Sequence, residues 1–75
     1  MSDQDQQQQQ PKTSWPEAVG KTFEEAEEMI KTDNPFVKQI LKVPENSPVT
    51  MDYRPDRVRV FVNEAGVTVD VPRTG

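Results

Sequence analysis

Between Arg57 and Asn63 the chain alternates strictly, with Val58, Val60 and Val62 on one side of an extended segment and Arg57 and Arg59 on the other. A period of two in β-branched and aromatic residues predicts a half-buried strand. The run Gln39–Val43, with Ile40, Leu41 and Val43 flanked by Pro35 and Pro44, predicts a shorter strand ahead of it. After a turn at Glu64-Ala-Gly66, Val67, Val69 and Val71 alternate with Thr68 and Asp70, which predicts a third strand. The tight turn requires that strand to run antiparallel to the second. Upstream the period changes to that of a helix: Phe23, Ala26 and Ile30, with Met29 beside them, share one face, while Glu24, Glu25, Glu27 and Glu28 line the others. Thr22 followed three residues later by Glu25 is a capping box that starts this helix. Asn34-Pro35 ends it, because the residue before proline is excluded from helical geometry. Trp15, the single tryptophan, is assigned to the core.

The connection between the first two strands is long for so small a domain, roughly thirteen residues, and connections of that length are functional or disordered. Pro48 and Pro55 argue for order, since each fixes φ and reduces the freedom of the unbound loop. Such a connection also permits parallel pairing of the two strands it joins. The fold expected is therefore α+β: one α-helix packed on a small mixed β-sheet, with a long extended loop joining two parallel strands. Within that loop Thr50 and Asp52 face one way and Met51 the other, outward. If the loop doubles back, Thr50 and Asp52 meet the guanidinium groups of Arg57 and Arg59, whose charge-assisted hydrogen bonds contribute about 1.5–3 kcal/mol each.

Composition then narrows the chemistry. A chain of 75 residues allows one small domain. It has no cysteine and no histidine, which removes Ser-His-Asp, Cys-His and Cys/His zinc constellations together. The four clustered glutamates have no converging partners and read as a solvated helix face, so no metal and no cofactor are expected. A net charge of −4 argues against nucleic acid. No apolar run approaches the ~20 residues of a membrane span, and no signal-peptide core precedes the domain, so a soluble chain is expected, cytosolic or already processed. Residues 1–13, dominated by glutamine, are expected to be a disordered tail, and residues 14–75 a single domain.

Four stretches carry a resemblance. Ser47-Pro-Val-Thr-Met-Asp-Tyr-Arg54, Asp56-Arg-Val-Arg-Val-Phe-Val62 and the closing Val71-Pro-Arg-Thr-Gly75, with Trp15-Pro-Glu-Ala-Val-Gly-Lys21 upstream, resemble the potato inhibitor I family of serine-protease inhibitors, the group that includes eglin and the barley chymotrypsin inhibitor. The resemblance implies an inhibitor and no enzyme, in a family associated with plant defence. It implies that Met51–Asp52 is the reactive bond and that Met51 enters the protease's primary specificity pocket. Arg57 and Arg59 then support the loop through Thr50 and Asp52, while Val49, Thr50, Tyr53 and Arg54 complete the contact with the protease. An unbranched thioether suits apolar, roomy pockets, so chymotrypsin-like and subtilisin-like enzymes are the expected partners of a monomeric inhibitor, and trypsin-like enzymes are not.

Overall fold

In a computed structural model the described residues are 11–75; most of the expected glutamine-rich tail lies outside them. An α-helix, α1 (Phe23–Asp33), packs against a three-stranded sheet of β1 (Gln39–Pro44), β2 (Arg57–Val62) and β3 (Arg73–Thr74), in the order β1-β2-β3. β1 and β2 run parallel from Gln39 opposite Arg57 to Pro44 opposite Val62, and β3 joins β2 antiparallel. The sheet is thus mixed and covered by one helix, as expected.

The capping box at Thr22 is formed in both directions: the Glu25 N–H donates to the Thr22 hydroxyl at 3.2 Å, and the Thr22 N–H donates to Glu25 Oε1 at 3.0 Å. These bonds satisfy two donors that every helix start leaves unpaired. At the other end Asn34 is extended, and its side chain replaces the next turn by accepting from the Phe36 N–H at 2.9 Å. Ala26 and Ile30 on the inner face meet Trp15, Ala18, Val58, Val60 and Val62 in a core of fully or nearly fully buried residues. Trp15 seats its ring there and donates its indole N–H to Asp33 Oδ2 at 3.0 Å, so the aromatic body is buried and its polar edge satisfied.

Two expectations are altered. The segment Val67–Val71 is not the third strand. Val62 bridges Thr68, the Asn63 N–H donates to the Val67 carbonyl and the Val69 N–H donates to the Phe61 carbonyl, after which the pairing stops. Pro72, which has no N–H to donate, precedes the point where pairing resumes as β3. The inward phase is also reversed: Thr68 is buried, whereas Val67, Val69 and Val71 are half-buried. The cause is that Thr68 is gripped from both sides, its N–H donating to the Lys21 carbonyl and its carbonyl accepting from the Gly20 N–H.

Inside the stretch expected to be a tail, Thr13 accepts a hydrogen bond from the Thr74 N–H at 3.0 Å and the Lys12 carbonyl accepts one from Asn34 Nδ2 at 3.0 Å. Lys12 also pairs with Glu17 and Asp33.

Candidate functional site

The loop between β1 and β2, residues 45–56, begins with a turn in which Asn46 adopts φ 67°, a left-handed conformation that asparagine tolerates. From there residues 47–54 carry no helix or strand. Among the described residues, none of the backbone N–H groups of 48–56 donates to another backbone group. A segment whose backbone N–H groups are unpaired in this way can accept a partner strand. Met51 projects from it with 95% of its surface exposed; Tyr53 is 70% and Val49 38% exposed, and Arg54 is exposed as well.

Thr50 and Asp52 turn the other way, towards β2. Arg59 Nη2 donates to the Thr50 hydroxyl at 2.7 Å. Arg57 Nη2 donates to the Asp52 backbone carbonyl at 2.6 Å, and its Nη1 to Asp52 Oδ2 at 3.3 Å. Arg59 Nη2 also lies 3.9 Å from Asp52 Oδ1. The guanidinium groups therefore bond to the residues on either side of Met51, one preceding it and one following it. Alternation along β2 is what makes this possible: Val58, Val60 and Val62 face the helix, leaving Arg57 and Arg59 on the face that the loop crosses.

That face is not solvated. Arg57 is 6% exposed, and a buried guanidinium persists only when its donors are paired. Its third contact is at the C-terminus: Nε donates to the Gly75 carbonyl at 2.8 Å, while the Gly75 N–H donates back to the Arg57 carbonyl at 2.8 Å. Gly75 in turn lies beside the Tyr53 ring, with a φ of 144° that favours glycine; an added Cβ would make ordinary van der Waals contact with that ring at 3.4 Å. Arg57 thus ties the loop, the strand and the terminal residue to one another. Sequence patterning missed this part of the site because the partners are backbone carbonyls, of Asp52 and Gly75, which no residue type announces.

The Thr50 hydroxyl, then the backbone N–H of Asp52 itself, and after these the charge of Arg57 and its hydrogen bond, hold the Asp52 carboxyl below the ordinary aspartate range against the opposing effect of desolvation. Asp52 is therefore a carboxylate at neutral pH, an acceptor for both neighbours.

No group of three or more His, Cys, Asp or Glu positioned to hold a metal ion occurs among the described residues, and no helix among them is long and apolar enough to cross a membrane.

Similar proteins share both sequence and fold. The chain is 54% identical over 65 residues to a chymotrypsin inhibitor from Lumbricus terrestris, a match spanning 85% of this chain and 73% of that one. It is 50% identical over 64 residues to a subtilisin inhibitor from Canavalia lineata, spanning 85% and 95%. The crystal structure of a bitter gourd trypsin inhibitor superposes with a TM-score of 0.82 at 41% identity, covering 88% of this chain and 96% of that one. The family model for the potato inhibitor I family matches residues 6–75. With that match running through the helix, the sheet and the braced loop, the chain belongs to the potato inhibitor I family of serine-protease inhibitors.

Proposed function

We propose that this protein is a tight-binding, substrate-like, reversible inhibitor of serine endopeptidases of the chymotrypsin and subtilisin type, with Met51–Asp52 as its reactive bond. The observation that carries the reading is the placement of Arg57 and Arg59 on Asp52 and Thr50, on the two sides of Met51, the most exposed large hydrophobic residue of the loop.

A serine protease binds an extended segment, attacks the carbonyl of the residue in its primary pocket and forms an acyl-enzyme as the leaving amine departs. Here the attacked carbonyl belongs to Met51 and the leaving amine to Asp52. Departure of that amine requires Asp52 to move, yet its carbonyl and carboxylate are held by Arg57, which is itself fixed to β2 and Gly75. After cleavage the amine therefore stays beside the acyl carbon at high effective concentration, and religation competes with hydrolysis. The acyl side is held in the same way through Thr50 and Arg59. Because the loop is ordered before binding, little conformational entropy is lost on docking, which favours tight association.

Specificity follows from Met51: an unbranched apolar side chain fits a roomy apolar pocket and offers no charge to a pocket that selects cations. Val49, Thr50, Tyr53 and Arg54 flank it as further contacts with the protease. The bracing groups all lie within one chain and the brace needs no second copy, which supports a monomeric inhibitor with the protease as its partner. The test is a titration of subtilisin and of chymotrypsin with the purified protein. Stoichiometric loss of activity at sub-micromolar concentration is expected; full activity at micromolar inhibitor contradicts the reading.

A further inference from the structure

The chain has three methionines, Met1, Met29 and Met51. Met29 packs against the core on α1, whereas Met51 is 95% exposed at the crest of the loop. Exposure governs how readily a thioether meets an oxidant in water. We propose that Met51 is a reversible oxidation site and that its conversion to the sulfoxide switches the inhibitor off without unfolding it. This rests on the reading of Met51 as the residue that enters the protease's pocket.

The chemistry needs only a peroxide. The Met51 sulfur attacks one peroxide oxygen, the O–O bond breaks, and one oxygen atom is transferred to Sδ while the other leaves as water; sulfur is oxidised by two electrons and the peroxide is reduced by two. The product is polar and chiral where the thioether was apolar. An apolar pocket binds the thioether by removing it from water, and it offers the sulfoxide oxygen no such gain unless a donor meets it.

Nothing in the brace is touched by the same reaction. Arg57, Arg59, Thr50, Asp52 and Gly75 contain no sulfur, and their hydrogen bonds run on the opposite side of the loop from Met51. The oxidised protein therefore keeps its fold and its braced loop and loses only the fit of one side chain. Restoration needs a dithiol: sulfoxide reductases use one to remove the oxygen as water, with one enzyme for each epimer.

The experiment treats the full chain with hydrogen peroxide, follows oxygen uptake by peptide mass mapping, and measures the inhibition constant for chymotrypsin and the thermal midpoint at each time point. Met51 is expected to oxidise ahead of Met29. The inhibition constant should rise at least about 10-fold in step with Met51 oxidation, within the ~10–200-fold range of altered apolar pocket contacts, with an unchanged thermal midpoint. Both reductases together with dithiothreitol should reverse the loss. Met29→Leu should remain peroxide-sensitive, whereas the inhibition shown by Met51→Leu, whatever its starting level, should not change on treatment. Oxidation of Met29 ahead of Met51, inhibition within 2-fold of the starting value once Met51 is fully oxidised, or equal sensitivity of Met51→Leu overturns the proposal. Redirection of inhibition by Met51→Lys tests the underlying reading separately: if it occurs while oxidation has no effect, only the switch is wrong.

Discussion

Arg57 reaches Asp52 at two atoms, the backbone carbonyl at 2.6 Å and carboxylate Oδ2 at 3.3 Å, whereas Arg59 reaches Thr50 at the hydroxyl alone, at 2.7 Å. The two arginines are therefore not equivalent. Arg57→Ala strands the carbonyls of Asp52 and Gly75 as well as a carboxylate. Discounting for the half-exposed carboxylate, it should cost about 2–3 kcal/mol of stability. Arg59→Ala removes one hydrogen bond, to Thr50, and a long ion pair with the half-exposed Asp52 carboxylate, and should cost about 1 kcal/mol. Denaturant unfolding of both variants checks the order. In protease digests Arg57→Ala should be cut at Met51–Asp52 faster than Arg59→Ala, and both faster than the parent; equal cleavage of all three contradicts the brace.

Met51 makes none of the hydrogen bonds that fix the loop and is almost wholly exposed. Met51→Lys should thus leave the thermal midpoint within a degree or two while moving inhibition from chymotrypsin to trypsin, a change of about 100-fold or more in each direction, since a buried unpaired cation is costly in an apolar pocket and a paired one is favoured. Unaltered chymotrypsin inhibition would show that another residue occupies the pocket.

The Asp52 carboxyl sits below the ordinary value of 3.8, first through the Thr50 hydroxyl, then through its own backbone N–H and then through Arg57. A group whose folded pKa is depressed contributes stability that is present above its unfolded pKa and lost as the pH falls through the folded value. The bond from Arg57 to the Asp52 carboxylate is accordingly intact at neutral and mildly acid pH and is lost only below the ordinary value of 3.8, whereas the bonds to the Asp52 carbonyl and the Thr50 hydroxyl do not titrate. Carbon-detected NMR titration of Asp52 should give a midpoint below that value. In the Arg57→Ala variant it should move upward, and a midpoint unmoved by the substitution would mean that Arg57 does not act on this carboxyl.

How far the sequence reached depends on which groups carry the structure. The helix was legible from Thr22 and Glu25 to Asn34-Pro35 because its ends are fixed by side chains, and β2 because its valines must all face the helix. Thr50 and Asp52 could be matched to Arg57 and Arg59 because period-two counting is common to loop and strand. It could not say which arginine takes which partner, nor that Arg57 would be buried, since its further partner is the backbone carbonyl of Gly75. The third strand was misplaced for a related reason. Three alternating valines signal a strand, but Pro72 and the two backbone bonds on Thr68 decide where pairing stops and which side faces in.

Thr68 keeps a trace of that conflict. Its Oγ1 is buried with no hydrogen-bond partner, and an unsatisfied buried polar atom costs about 1–3 kcal/mol. Thr68→Val preserves the shape and both backbone bonds while removing the hydroxyl. It should stabilise the fold by about 1 kcal/mol, a rise of roughly 4–8 °C in the midpoint of a domain this size, with inhibition unchanged. A lower midpoint would show that the hydroxyl is satisfied in solution.

Religation of a severed loop tests the central claim most directly. Protein cut at Met51–Asp52 is isolated, a catalytic amount of subtilisin is added, and mass spectrometry follows the fraction of intact chain from both the cut and the uncut starting materials. Intact chain should reappear from the cut form until the two samples reach the same ratio. If the cut form stays cut, and the uncut form is hydrolysed to completion, Arg57 and Arg59 do not hold the new ends together and the account is wrong.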